Sequence, residues 1–258
     1  MTSIYQHFRP DEKEFIDQVL NWQQFVENSY SPKLSDFLDP RQIHIVKSLI
    51  GTHSTVKYSE FGGYDNAERK RVLLYPDYFT PEYNDFQIKL TEIEYPRKFV
   101  SLSHRQILGS LMSLGLKREK FGDILIQDDR IQVVIPSEMM DYIRMELKQI
   151  GKTNIQLVEL SLDEIIKSDE EWKEVTTTAS SLRLDALLSS VYPISRQKAQ
   201  TLIQHGLVKV NWKEIEQTSF QCEEGDVISA RGYGRCKIIS IEGQTKKEKW
   251  RLKAGILK

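Results

Sequence analysis

Nine side chains in the last third of the chain have types and spacings suited to holding a polyanion: Arg183, Ser195, Arg196, Lys198, Lys209, Asn211, Lys213, Arg231 and Arg235. Arg183, Arg196 and Lys198 fall at two short helical segments, and Ser195 stands where a hydroxyl can cap the second of them. Lys209 and Asn211 alternate with Val208 and Val210, Lys213 follows, and Arg231 and Arg235 flank Gly232-Tyr233-Gly234. Guanidinium and ammonium groups neutralise phosphates, and helix N-termini add backbone donors. Glycines let a backbone approach a sugar–phosphate chain closely. The chemistry this implies is anion holding by a rigid basic face, which is how A-form RNA is chiefly read.

Other constellations are weaker. Cys222 and Cys236 are too few for a disulfide framework and match no zinc spacing, so they are expected as reduced thiols. His7, His44, His53, His104 and His205 show no metal-ligand spacing. Gly62-Gly63 lacks the Lys-Ser/Thr of a phosphate loop and reads as a turn. No cofactor and no metal is therefore expected. The formal net charge of −1 hides an asymmetry: residues 181–258 carry 14 Lys and Arg against 8 Asp and Glu, and the remainder carries 22 against 29. The last third is thus the part expected to face an anion. No apolar run reaches the length of a membrane span, and the polar start MTSIYQHFRPDEKEF lacks the core of a secretory signal. A cytoplasmic protein with no membrane contact is the expectation.

The elements that must position these groups follow from caps and periodicity. Residues 1–53 read as helical, with Asp39-Pro40 opening a second helix that Gly51 ends. Two strands are predicted over 54–61 and 69–74, and a loop over 75–86. From residue 87 the order is strand, helix from Ser103 through Met112, a hairpin around Asp128-Asp129, helix from Ser137 through Ile150, and strand over NIQLVEL. This βαββαβ order is that of the ferredoxin-like fold. In the last third, Leu184, Leu187, Leu188 and Val191 make one helix stripe, Pro193 stops it, and Ser195 starts a second helix that Gly206 ends. Four short strands follow, LVKVN, DVISAR, CKIIS and KWRLKA, the last two separated by Gly243-Gln244. The expected fold class is α+β: an N-terminal α/β region at 1–86, a ferredoxin-like, RRM-like domain at 87–165, a linker at 166–180, and a module of two helices on a small antiparallel sheet at 181–258.

The run LRLD, then Ser195-Arg196 with Lys198-Ala199, then LIQHGLVKVN, then EEGDVISARGYGR, resembles the RNA-binding module of small-subunit ribosomal protein S-four over nearly all of 181–243. That module usually has glycine where Trp212 stands, so the turn before Lys213 is in question. The indole can cover the sheet, the preferred reading, or stack on a base. The whole layout resembles the bacterial YlmH-type RNA-binding proteins. That resemblance implies association with the large ribosomal subunit and a hold on tRNA during rescue of stalled translation, as in ribosome-associated quality control. A link to cell division also attaches to the family. The partners expected are structured RNA, ribosomal or transfer; protein partners are left open.

Three functions are weighed. The first is a non-enzymatic RNA-binding ribosome factor. The second is an RNA-modifying enzyme of the pseudouridine synthase or methyltransferase type. Arg183-Leu184-Asp185 occurs in pseudouridine synthases with a catalytic aspartate, but here ALLSS follows it, and a helix-start or arginine-orienting carboxylate is preferred. The third is a protein-interaction scaffold. The middle region lacks the aromatic signature of an RRM on DILIQ, which favours docking or spacing there.

Overall fold

In the computed structural model, which describes residues 4–51, 55–166 and 172–257, the chain opens with α1 (Lys13–Ser29), β1 (Lys33–Leu38), α2 (Pro40–Ile50), β2 (Val56–Phe61) and β3 (Lys70–Pro76). Asp39 starts α2 as expected: its carboxylate accepts from the Gln42 backbone N–H, and Pro40 fills the first helical position. Gly51 ends that helix at φ +63. The all-helical reading of 1–53 needs one correction, because β1 lies between the helices and pairs with β3 in a three-stranded sheet of order β1-β3-β2. KLSDFL carries no β-branched residue, so only its partner strand reveals it. His53 lies outside the described residues.

The next elements are β4 (Ile88–Glu94), α3 (His104–Met112), β5 (Ile124–Gln127), β6 (Arg130–Pro136), α4 (Met140–Glu146), β7 (Gln149–Ile150), β8 (Thr153–Asn154) and β9 (Gln156–Leu160). The sheet β5-β6-β4-β9, antiparallel throughout, has the strand order of the ferredoxin-like fold. Ser103 caps α3 through its hydroxyl, as predicted. The helix expected from Ser137 through Ile150 is shorter. Residues 137–139 form a 3-10 turn, α4 stops at Glu146, and Gln149–Ile150 folds back on Thr153–Asn154 over Gly151, which sits at φ +60.

One face of this sheet packs on α3 and α4 through Ile93, Ile107, Ile131 and Ile143. The other carries Ile88, Leu90 and Val134, which share a core with Phe37, Leu73 and Phe86 from the preceding region. Buried polar groups stitch the same seam. Asp123 accepts from the Tyr64 hydroxyl at 2.8 Å and the Arg69 N–H at 3.1 Å, and Arg71 donates to the Ser35 and Phe86 carbonyls and to Glu138. The two regions expected at 1–86 and 87–165 therefore fold as one unit, 1–169. Arg118 donates to the Phe121 and Gly122 carbonyls, and burial pushes its guanidinium down to about 10.

The second unit, 170–258, contains β10 (Lys173–Ala179), α5 (Leu184–Val191), α6 (Arg196–Gln204), β11 (Val208–Val210), β12 (Lys213–Glu214), β13 (Val227–Ala230), β14 (Gly234–Gln244) and β15 (Trp250–Leu257). The expected linker at 166–180 is corrected, since Lys173–Ala179 is a strand paired residue by residue with β15. Its polar alternation, KEVTTTA, hides it from a search for apolar runs. Gly243-Gln244 does not divide strands either: β14 runs through both, and the break is at 245–249. The six-stranded sheet has the order β10-β15-β14-β13-β11-β12. α5 and α6 pack on it through Leu184, Leu187, Leu188, Ala199, Leu202 and Ile203. Burying a side chain such as Leu184 or Leu188 contributes about 1.5–3 kcal/mol.

Candidate nucleic-acid interface

The start of α5 is fixed by the strand-like segment opposite it. The Leu184 N–H donates to the Phe220 carbonyl at 2.8 Å, and the Cys222 N–H donates to the Leu182 carbonyl at 2.9 Å. This places Arg183 outside the helix and Leu184 in the core, with Asp185 turned toward α6. The Asp185 side chain is fully buried, yet it accepts five hydrogen bonds. Arg183 donates through Nε at 3.1 Å and Nη2 at 3.2 Å. Arg196 donates through Nε at 3.0 Å and Nη2 at 3.3 Å, and Gln200 through Nε2 at 2.8 Å. Burial alone would raise this carboxyl, but the bonds from Arg183, Arg196 and Gln200 outweigh it and hold the group well below the usual carboxylate range.

Both guanidiniums keep donors beyond those used on Asp185, and their side chains remain 33% and 48% exposed. A fixed planar fork with spare N–H groups suits a phosphate oxygen. Ser195 caps α6 by accepting from the Lys198 N–H at 3.1 Å, and the Lys198 side chain is exposed one turn along. The structure thus brings Arg183, Ser195, Arg196 and Lys198 together at the α5–α6 corner.

The remaining predicted residues lie elsewhere. Lys209 pairs across the sheet with Ser229, and Ser229 with Arg235, so all three share the face opposite the one bearing Val208, Val210, Ile228 and Cys236. The Arg235 guanidinium lies 5.7 Å from the Trp172 ring centre. Asn211 is a structural anchor: its side-chain amide donates to Asp226 at 2.8 Å, and its carbonyl accepts from the Val227 N–H at 2.9 Å. Lys213 and Arg231 are exposed, the first in β12 and the second in the turn after β13. The set is therefore split between the helical corner and the outer face and loops of the sheet.

Asn211 and Trp212 form the two-residue turn between β11 and β12, at φ +49 and +66. The turn survives without its usual glycine. A side chain in this left-handed region costs about 1–2 kcal/mol. Of the expected alternatives for Trp212, the sheet-covering one is incomplete, because the residue is 40% exposed.

Sequence reasoning presents Gln200 outward on the second helix with Arg196 and Lys198 but gives it no role; in the structure it joins the Asp185 cluster from four residues past Arg196. The signal was the i,i+4 spacing, one helix face at a time. It also passed over Lys246, Lys247 and Lys249, exposed at the tip joining β14 to β15 and legible as a short basic run. Cys222 and Cys236 are buried thiols, and burial pushes Cys236 up to about 12. Among the described residues, no group of three or more His, Cys, Asp or Glu could hold a metal ion. None of their helices is long and apolar enough to cross a membrane.

The middle sheet offers no RRM-type platform. The face on which an RRM stacks bases is occupied by Phe37, Leu73 and Phe86, and Gln132 on that face bonds the Glu164 carbonyl and the Ile166 N–H.

Comparison with known proteins agrees with this layout. Residues 11–79 match the family described as "YlmH, N-terminal", 81–164 match "Putative RNA-binding domain in YlmH", and 182–228 match "S4 domain". The chain is 46% identical over 252 residues to "Ribosome-associated protein quality control protein P2" of Bacillus subtilis (strain 168), covering 98% of each. It is 34% identical over 113 residues to "Small ribosomal subunit protein uS4c" of Rhodomonas salina, covering 40% of this chain and 53% of that one. A solved structure, "Cell division protein ylmH from Streptococcus pneumoniae", is similar with a TM-score of 0.56 at 40% identity, covering 64% of this chain and all of that one. Identity at this level over nearly the whole length, with the three matches in the same order, makes the chain a member of the YlmH family with a C-terminal S4 domain.

Proposed function

We propose that this protein is a ribosome-associated RNA-binding factor that acts without catalysis, holding the large ribosomal subunit and tRNA during rescue of stalled translation. The observation that carries the reading is the arginine pair fixed on Asp185 at the α5–α6 corner of an S4 domain. Two partly exposed guanidiniums with spare donors, next to a capped helix start and the exposed Lys198, make a phosphate-reading surface. The name of the Bacillus subtilis relative supports the ribosome as the place of action. The Asp185 geometry weighs against the pseudouridine-synthase reading: a carboxylate saturated by five donors and closed to solvent is poorly placed to attack a base.

The test is sedimentation of the full chain with ribosomes from cells stalled in translation. Wild type should travel with the large subunit, and Lys198→Glu should leave it while melting like wild type. Absence from the large-subunit fraction, or identical profiles for the two, would overturn the reading. Mass analysis of the recovered RNA is the second arm, and a protein-dependent modified nucleotide would favour the enzyme. Membership of a division assembly with no ribosome bound would favour the scaffold, in line with the name of the Streptococcus pneumoniae relative.

A further inference from the structure

Trp212 combines three features that suit an aromatic contact with a partner molecule. It occupies the second position of a two-residue hairpin turn at φ +66, a conformation that is free of steric cost for glycine and strained for an indole-bearing residue. It is the exposed one among the four tryptophans of the chain, with 40% of its surface open. It is also the residue directly before Lys213, with Lys209 on the adjoining strand, and both lysines are exposed.

The turn itself is held by other groups. Asn211 fixes the first position through Asp226 and the Val227 N–H. On the far side the Ile215 N–H donates to the Val208 carbonyl at 3.1 Å, and the Ile215 side chain is buried. The hairpin is thus anchored on both flanks, and its tip carries an aromatic at positive φ with 40% of its surface exposed. A sparsely populated backbone conformation at an exposed position is a mark of function when the surroundings hold it in place. An aromatic ring beside lysines is the arrangement by which proteins take up an unpaired base, the ring stacking on the base while the cations hold its flanking phosphates.

We propose that Trp212 is a base-stacking residue, and that the β11–β12 hairpin reads an unpaired nucleotide in the bound RNA. This rests on the RNA-binding reading above and adds a second, single-stranded element to a surface otherwise suited to duplex backbone. Stacking is tolerant of base identity, so the preference is for an unpaired base as such, not for one sequence.

The experiment compares two fluorescein-labelled RNAs, a stem closed by an unpaired loop and a fully paired duplex of equal length, titrated with full-length wild type, Trp212→Gly, Trp212→Phe and Lys198→Ala. Wild type should bind the stem-loop more tightly than the duplex. Trp212→Gly should lose roughly 5- to 150-fold on the stem-loop, the range expected for one stacked base, and nothing on the duplex. Trp212→Phe should recover most of the loss, and Lys198→Ala should weaken both RNAs. The thermal midpoint of Trp212→Gly should hold or rise, since glycine relieves the strained turn. A midpoint lowered by more than about 4 °C makes Trp212 a packing residue and overturns the proposal. Unchanged stem-loop affinity in Trp212→Gly, or equal losses on both RNAs, overturns it too while leaving RNA binding intact. Failure of wild type to bind either RNA overturns both readings.

Discussion

Replacing Asp185 by asparagine separates positioning from charge, because the two effects have opposite signs. Asparagine has the shape of aspartate but keeps one acceptor oxygen and sets an NH2 group against guanidinium donors. Four arginine bonds and one from Gln200 converge on the wild-type carboxylate. Breaking a wholly buried pair costs 3–5 kcal/mol, as an order of magnitude, because a charge is stranded. Here Arg183 and Arg196 are 33% and 48% exposed and can turn to water, so the expected stability loss is smaller, about 1–3 kcal/mol. Each freed arginine must then be ordered again on the RNA at about 0.5–1.5 kcal/mol. The two together give about 1–3 kcal/mol, or roughly 5- to 150-fold weaker binding. Charge alone predicts the reverse, since the variant carries one more net positive charge. The assay is anisotropy of a labelled ribosomal RNA fragment over a salt series, with a melting curve for each protein. Weaker binding with an undiminished salt slope is the expected result, because no cation has been removed. Binding as tight as wild type or tighter, in a folded variant, refutes the positioning role of Asp185.

Arg196→Ala and Lys198→Ala should each flatten the slope of log affinity against log salt by roughly one unit if both contact phosphate. They should differ in stability: Lys198→Ala stays within about 0.5 kcal/mol of wild type, whereas Arg196→Ala takes two donors from a buried carboxylate and should cost about 1–2 kcal/mol by thermal or urea melting. In the first unit, Arg130, then Arg97 and Gln132, bond Glu92 and pull its carboxyl from 4.5 to about 2, against the opposing effect of burial. A depressed carboxyl stabilises the fold above its unfolded value and loses that contribution as pH falls through the folded one. Glu92→Gln should therefore melt earlier than wild type at pH 7, by about 1–3 kcal/mol given the partly exposed Arg130, and the gap should close between pH 4.5 and about 2. A gap that persists unchanged at the acid end would show that the ion pairs do not supply it.

What was legible in the sequence was whatever is decided locally. Asp39, Ser103 and Ser195 cap helices in the structure as their spacing predicts, because a cap needs only the next three residues. The βαββαβ order emerged because its strands are short, largely apolar runs and its breaks are chemical. The strands β1 and β10 were not legible: KLSDFL and KEVTTTA are polar-rich edges that become strands by pairing with β3 and β15. The same limit divides the site. Arg183, Arg196 and Lys198 could be placed on one side of two helices from periodicity, but their organiser could not, since Asp185 and Gln200 come together only when α5 and α6 pack. The Arg-Leu-Asp run then acquires one physical meaning for all three residues. Leu184 enters the core and locks the start of α5, which holds Asp185 out of water, which in turn leaves its charge to be met by Arg183, Arg196 and Gln200. A buried carboxylate is costly unless paired, so the fold itself demands the two arginines, and their spare donors are what the surface gains. On the proposed reading, stability and recognition at this corner are coupled through one side chain, and a substitution at Asp185 should change both.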